Sequence, residues 1–178
     1  LGDVYKRQLL SGAARIGDRP IGDVLLDTSA GAVFLDRTVA EAAQLRDPLT
    51  ASTEDTPGDR DDMRELSGLT LGGVPLAAER AFVVDLGATD LLVGSRLAGV
   101  IGLSAFDTAP FTLDVRNATL TVHSNTTFEP PAGVSAEALR IDQGLPFVEA
   151  TLADGTRVWL LLDTGSPATI SVWRGFAK

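Results

Sequence analysis

The chain has 178 residues with 24 acidic and 15 basic side chains, a formal net charge of −9. Hydrophobic residues make up 44% and charged residues 22%, enough to bury the core of one ordinary domain, or of a small domain with part of another. The acidic balance argues against a nucleic-acid binder, the single His against metal sites and Ser-His-Asp triads, and the lack of Cys excludes disulfides and thiol chemistry.

Residues 1–8 read Leu-Gly-Asp-Val-Tyr-Lys-Arg-Gln and have the look of a non-native or disordered tail, so they are set apart from the fold. They hold no apolar stretch of the kind a signal peptide needs. This carries no weight on export, and a periplasmic or secreted location fits the chain. No apolar run approaches the roughly 18 residues of a membrane-spanning helix, so no transmembrane segment is expected.

Gly and Pro then cut the chain into short β-prone pieces. The pieces are 24–26, 81–84, 100–101, 111–115, 119–122, 147–152 and 158–162, with turn residues between them. One helix is expected over 36–45, where Val39, Ala42 and Ala43 fall at helical spacing, and a shorter one over 104–108. Residues 50–64, with Pro57, Gly58 and the run Asp59-Arg60-Asp61-Asp62, read as a solvated loop. Residues 124–136, with Pro130-Pro131 and Gly133, read as a linker. The fold class is all-β.

An internal repeat is the most informative feature. A shift of 136 positions, from 27 to 163, lays Leu160-Leu161-Leu162-Asp163-Thr164-Gly165-Ser166 on Val24-Leu25-Leu26-Asp27-Thr28-Ser29-Ala30. Leu145 then falls on Leu9, Leu152 on Ile16, Asp154 on Asp18 and Ile170 on Phe34. Each copy is a strand, a turn around an Asp, an apolar strand, and then Asp-Thr followed by two small residues. The second copy is the shorter, and reads as incomplete. Asp-Thr-Gly alone is weak evidence, but an aliphatic strand that delivers a carboxylate into a tight turn sets a charge at the rim of a core. Carboxylates are seldom held that way without a reason.

These residues resemble the pepsin-like and retropepsin-like aspartic peptidases. Leu161-Leu162-Asp163-Thr164-Gly165-Ser166 is similar to the active-site loop of that family. Gly99-Val100-Ile101-Gly102-Leu103-Ser104-Ala105-Phe106 looks like its apolar-apolar-Gly strand and following short helix, which pass behind the catalytic loop. Leu69-Thr70-Leu71-Gly72-Gly73-Val74-Pro75-Leu76, with the stretch 81–85, resembles the strands that lead there in bacterial retropepsin-like domains.

The resemblance implies a closed β-barrel lobe over 9–123 with one or two short helices, the linker 124–136, and the truncated start of a second lobe over 137–178. It implies an aspartic-type endopeptidase acting on a peptide or protein substrate, with Asp27 and Asp163 as the dyad and no cofactor or metal. Thr28 and Thr164 would hydrogen-bond across the lobes, Ser166 would support the outer oxygen of Asp163, and Gly102 would be bare because backbone approaches it. Were the second lobe absent, first lobes would pair as a homodimer; with residues 145–178 present, docking within one chain is favoured. Half of the substrate cleft would still be missing, making the chain as it stands a poor enzyme.

The sequence departs from the family in its first loop. Ser29 stands where Gly is usual and Ala30 lacks a hydroxyl, so the expectation is a displaced Asp27 or weaker hydrogen bonds to it. No Tyr lies in the presumed flap, about 50–68. The rival reading from another class is therefore a catalytically impaired β-rich binding or assembly module on the same fold. His123 is read as a strand-end residue, Trp159 as a cross-strand packing residue, and Asn117-Ala-Thr119 and Asn125-Thr-Thr127 as chance matches to a glycosylation pattern.

Overall fold

In the computed structural model the described residues are 9–46, 62–107, 110–114, 116–117, 119–123, 128–168 and 170–172. The tail 1–8 lies outside them, as do residues 47–61, which hold most of the charged loop and of the presumed flap. Residues 124–127 of the linker, with the second glycosylation match, also lie outside.

The chain is mostly β, in agreement with the all-β reading. Strands β1 (Ser11–Ile16) and β2 (Arg19–Asp27) form an antiparallel hairpin whose turn uses Gly17 at φ 55°. Next come β3 (Val33–Asp36), helix α1 (Arg37–Ala42), β4 (Met63–Glu65), β5 (Leu69–Leu71), β6 (Val74–Pro75) and β7 (Arg80–Val84). Helix α2 (Gly87–Val93) leads to β8 (Gly99–Gly102) and a 3₁₀ turn over Leu103–Phe106. A separate hairpin follows, β9 (Phe111–Asp114) with β10 (Thr119–Val122). The last unit is a meander of β11 (Leu139–Asp142), β12 (Leu145–Thr151) and β13 (Arg157–Leu161).

The first eight strands form one sheet in the order β4-β7-β3-β8-β2-β1-β5-β6. Among the described residues this sheet is open, and the closed barrel expected from the resemblance is not found. Its edge strands are β4, of three residues, and β6, of two, and among the described residues they do not pair with each other.

Buried runs explain the centre of the sheet. Strand β8 pairs in parallel with β2, Val24 to Gly99 through Asp27 to Gly102, and antiparallel with β3 on its other side. Val24, Leu26, Leu35 and Ile101 pack into one core, while Leu25, Val100, Leu86 and Leu97 pack into a second. Alternate residues of one strand thus face different cores. A strand covered on both faces reads as an unbroken apolar run, which is why Val24-Leu25-Leu26 shows no polar alternation. Each such side chain contributes roughly 1.5–3 kcal/mol by leaving water.

Helix α1 falls inside the expected 36–45 stretch and the 3₁₀ turn overlaps the expected 104–108 helix. Asp36 caps α1: it accepts hydrogen bonds from the Thr38 amide at 3.0 Å and the Thr38 hydroxyl, and from the Leu86 amide at 3.3 Å. Burial alone would favour the neutral acid. These three donors and the charge of Arg96 outweigh it, and hold the Asp36 carboxyl below its ordinary value. Helix α2 has no counterpart in the sequence reading. Leu86 precedes it with no side-chain cap, so the usual start signal is missing.

Repeat symmetry is visible in the last unit. A shift of 136 carries β1 and β2 onto β12 and β13, and residues 24–26 onto 160–162. Their environments differ sharply. Val24, Leu25 and Leu26 are 0%, 4% and 8% exposed, whereas Leu161 and Leu162 are 38% and 41% exposed. The first run has β8 beside it; β13 pairs only with β12 among the described residues. No described helix is long and apolar enough to cross a membrane.

Candidate functional site

Strand β2 ends at Asp27, and its parallel neighbour β8 ends beside it at Gly102. The chain must then cross from β2, over the end of β8, to reach β3 on the far side. It does so through residues 28–32, and this crossing makes the loop. The Gly102 amide donates to the Ala32 carbonyl at 3.1 Å and the Leu103 amide donates to the Ala30 carbonyl at 3.0 Å. A Cβ at Gly102 would stand 2.2 Å from the Ala30 oxygen and 2.4 Å from that of Ala32. Glycine is obligatory there, for the reason read from the sequence: the backbone passes too close for any side chain.

Within the loop, the Ala30 amide closes a turn on the Asp27 carbonyl at 3.0 Å. Ser29 donates twice to one oxygen of Asp27, with its amide to Oδ1 at 2.8 Å and its hydroxyl to Oδ1 at 2.7 Å. This corrects the expectation that Ser29 weakens the loop. Its φ is not positive, so no glycine is required, and its hydroxyl adds a bond that glycine could not make. An Asp that accepts from the amide two residues on is a local turn preference, and Asp-x-Ser was its signal in the sequence.

The second loop leaves β13 at Leu162, whose amide donates to the Pro146 carbonyl at 2.9 Å. It meets the first through a reciprocal exchange. The Thr28 amide donates to Thr164 Oγ1 at 3.0 Å, and the Thr164 amide donates to Thr28 Oγ1 at 3.2 Å. Each hydroxyl then donates onward to the strand behind its partner: Thr28 to the Leu162 carbonyl at 2.6 Å, and Thr164 to the Leu26 carbonyl at 2.9 Å. The two loops are thereby tied by four bonds that nearly repeat each other under the 136-residue shift. Residues 139–168 are docked on the first unit within one chain.

Gly165 lies against Asp27. A Cβ there would stand 2.4 Å from Cγ, 2.5 Å from Oδ2 and 2.7 Å from Oδ1 of that carboxylate. A third contact joins the units: the turn between β11 and β12, with Gln143 at φ 51°, rests its Gly144 on Gly31. The sequence reading missed this contact; the positive φ at Gln143 and Gly144 marks a tight turn but not what it touches.

The other expected residues are less engaged. Asp163 is exposed, and its carboxylate receives no hydrogen bond from the described residues. The Ser166 hydroxyl does not support it; it accepts instead from the Ala168 amide at 3.2 Å. A small pocket adjoins the loops, with Leu26, Asp27, Thr28, Ile101, Phe106 and Thr164 in its lining. Thr112 bonds the ring of His123 at 2.8 Å, and Phe128 packs on it. Trp159 sits opposite Glu149 with the Arg140 guanidinium 5.7 Å from its ring centre, and is 46% exposed. Among the described residues, no group of three His, Cys, Asp or Glu side chains converges as a metal site would.

No protein-family model, curated protein or solved structure matches this chain.

Proposed function

We propose that the chain is an aspartic endopeptidase of retropepsin-like type, with Asp27 and Asp163 as its two carboxylates. The observation that carries this reading is the reciprocal Thr28–Thr164 exchange between two Asp-Thr loops. The tie joins two Asp-Thr turns at the residue after each Asp, where a two-carboxylate site would need its loops held together. The crossing of 28–32 over Gly102 supports a pepsin-like lobe.

The chemistry needs no metal and no covalent intermediate. Two carboxylates that face each other share one proton, because two like charges side by side are costly. The ionised member takes a proton from a water as the water oxygen attacks the peptide carbonyl carbon. The protonated member gives its proton to the carbonyl oxygen. Collapse of the resulting diol breaks the C–N bond: the amine leaves with the proton taken from the water, and one diol hydroxyl returns its proton to the carboxylate that gave it. Substrate is an extended peptide.

The rival, a non-catalytic binding module, drew on Ser29 as a defect. The two bonds from Ser29 to Asp27 remove that ground. What favours the rival is the exposure of apolar residues on the last unit, including Ile141 at 56% and Ile170 at 69%. Calorimetric titration with a statine-type transition-state analogue separates the two. Binding at pH 4 that weakens at pH 7 and disappears in Asp27→Asn and Asp163→Asn supports the peptidase. Absence of binding at both pH values, in a form that carries a complete second lobe, favours the binding module.

A further inference from the structure

The two carboxylates are not equivalent. Oδ1 of Asp27 is occupied by two donors from Ser29, and the backbone of Gly165 closes on the same carboxylate from the facing loop. Asp163 is exposed and receives no hydrogen bond from the described residues. In the second loop the residue aligned with Ser29 is Gly165, which has no hydroxyl to give, and the hydroxyl of Ser166 is turned to Ala168. Ser29 stands at the centre of the asymmetry: its amide and hydroxyl both bond Asp27, whereas among the described residues nothing from Gly165 bonds Asp163.

We propose that Ser29 is a positioning residue that makes the pair unequal: it locks Asp27 in one orientation and leaves Asp163 as the adaptable carboxylate. The inference rests on the two-carboxylate reading above for its chemical steps. With Oδ1 taken by both donors of Ser29, Oδ2 is the oxygen of Asp27 left to accept a proton. Asp27 thus receives the proton of the attacking water at Oδ2 as the oxygen–carbon bond forms. Asp163, with both oxygens unencumbered, carries the shared proton to the substrate carbonyl oxygen. When the diol collapses, the C–N bond breaks and the proton on Asp27 goes to the leaving amine. Asp163 recovers a proton from the diol, and the pair returns to its starting state.

Esterification of carboxylates by a small epoxide, with each site quantified by mass spectrometry, tests the positioning without relying on peptidase activity. Exposed carboxylates such as Asp107 serve as internal references. In the unaltered chain Asp163 is esterified and Asp27 is spared. Ser29→Ala and Ser29→Gly keep the amide bond but lose the hydroxyl, and each raises labelling of Asp27 about ten-fold, the effect of one charge-assisted hydrogen bond. Ser29→Thr restores protection. Equal labelling of Asp27 and Asp163 in the unaltered chain overturns the proposal, as does unchanged labelling in both hydroxyl-free variants. Where peptide cleavage is measurable, kcat falls in Ser29→Ala with KM unchanged. A chain that shows the labelling pattern yet neither binds the analogue nor cleaves peptide refutes the peptidase reading and leaves the positioning role standing.

Discussion

Thr28 and Thr164, 136 residues apart, each receive the other's backbone amide on their hydroxyl oxygen. Each hydroxyl therefore accepts from one unit and donates to the same unit's strand end, so a single side chain closes two bonds. Thr164→Val keeps the shape and removes both. The expected cost is about 1–3 kcal/mol, because the Thr28 amide and the Leu26 carbonyl lose their partner in a half-buried place. Amide hydrogen exchange at residues 28 and 164 should quicken, with the β12–β13 ladder little changed. The double variant with Thr28→Val should cost less than the two singles summed, since both break one network.

Gly165→Ala tests the contact with Asp27. Its Cβ would stand 2.4 Å from Cγ of a carboxylate already held by Ser29, so either the loop or the Asp must move. The expected result is undocking of residues 139–168 with the first unit intact. Limited proteolysis should cut the stretch 128–138, which is neither helix nor strand, faster than in the unaltered chain. An unchanged cleavage rate would mean that the loop yields freely.

Gly102→Ala should be far worse. There the obstacles are two carbonyl oxygens of the backbone at 2.2 and 2.4 Å, which no rotamer change can clear. A loss of about 3 kcal/mol or more is expected, at the upper end for overpacking. Denaturant unfolding measures it, and the slope with denaturant should stay the same if only stability changes.

Asp36 makes stability depend on pH. Its carboxyl lies below the ordinary value of 3.8 in the folded chain, so the unfolded state binds protons more readily than the folded state does. The stabilisation from its charge is complete well above 3.8, and is lost as pH falls below that value towards the folded one. Asp36→Asn should therefore flatten the decline of melting temperature below pH 4 as well as lower stability at pH 7. Parallel melting curves against pH for the two chains would refute this.

Apolar exposure on the last unit predicts association. Leu161 and Leu162 are 38% and 41% exposed where their repeat counterparts Leu25 and Leu26 are 4% and 8%. At micromolar concentration the chain should bind a hydrophobic dye and sediment with concentration-dependent weight. Leu161→Glu should reduce both, because a charge on an exposed strand edge opposes pairing. A monomer that binds no dye would contradict the expectation.

Much of this arrangement is legible in the sequence because it is local. The hairpins β1–β2 and β12–β13 pair residues close in the chain, and turn residues with alternating apolar positions announce them. Val39, Ala42 and Ala43 at helical spacing announce α1. The repeat is legible because Asp27 and Asp163 follow matching aliphatic runs, and Gly102 because a bare residue after Val100-Ile101 demands close backbone. Only the tertiary structure decides what joins across distance. The parallel ladder of β2 with β8 pairs residues about 75 positions apart, and its partner choice depends on which cores each face fills, not on either strand alone. That β4 and β6 end the sheet without pairing with each other among the described residues is likewise a long-range outcome that no periodicity reveals. Ser29 is the sharpest case. Its identity alone suggests a lost glycine, whereas the carboxylate beside it, and the facing Gly165 that leaves room for that carboxylate, turn the same side chain into an anchor. A hydrogen bond needs two atoms placed together in space, and for Thr28 and Thr164 that placement is set by folding across 136 residues.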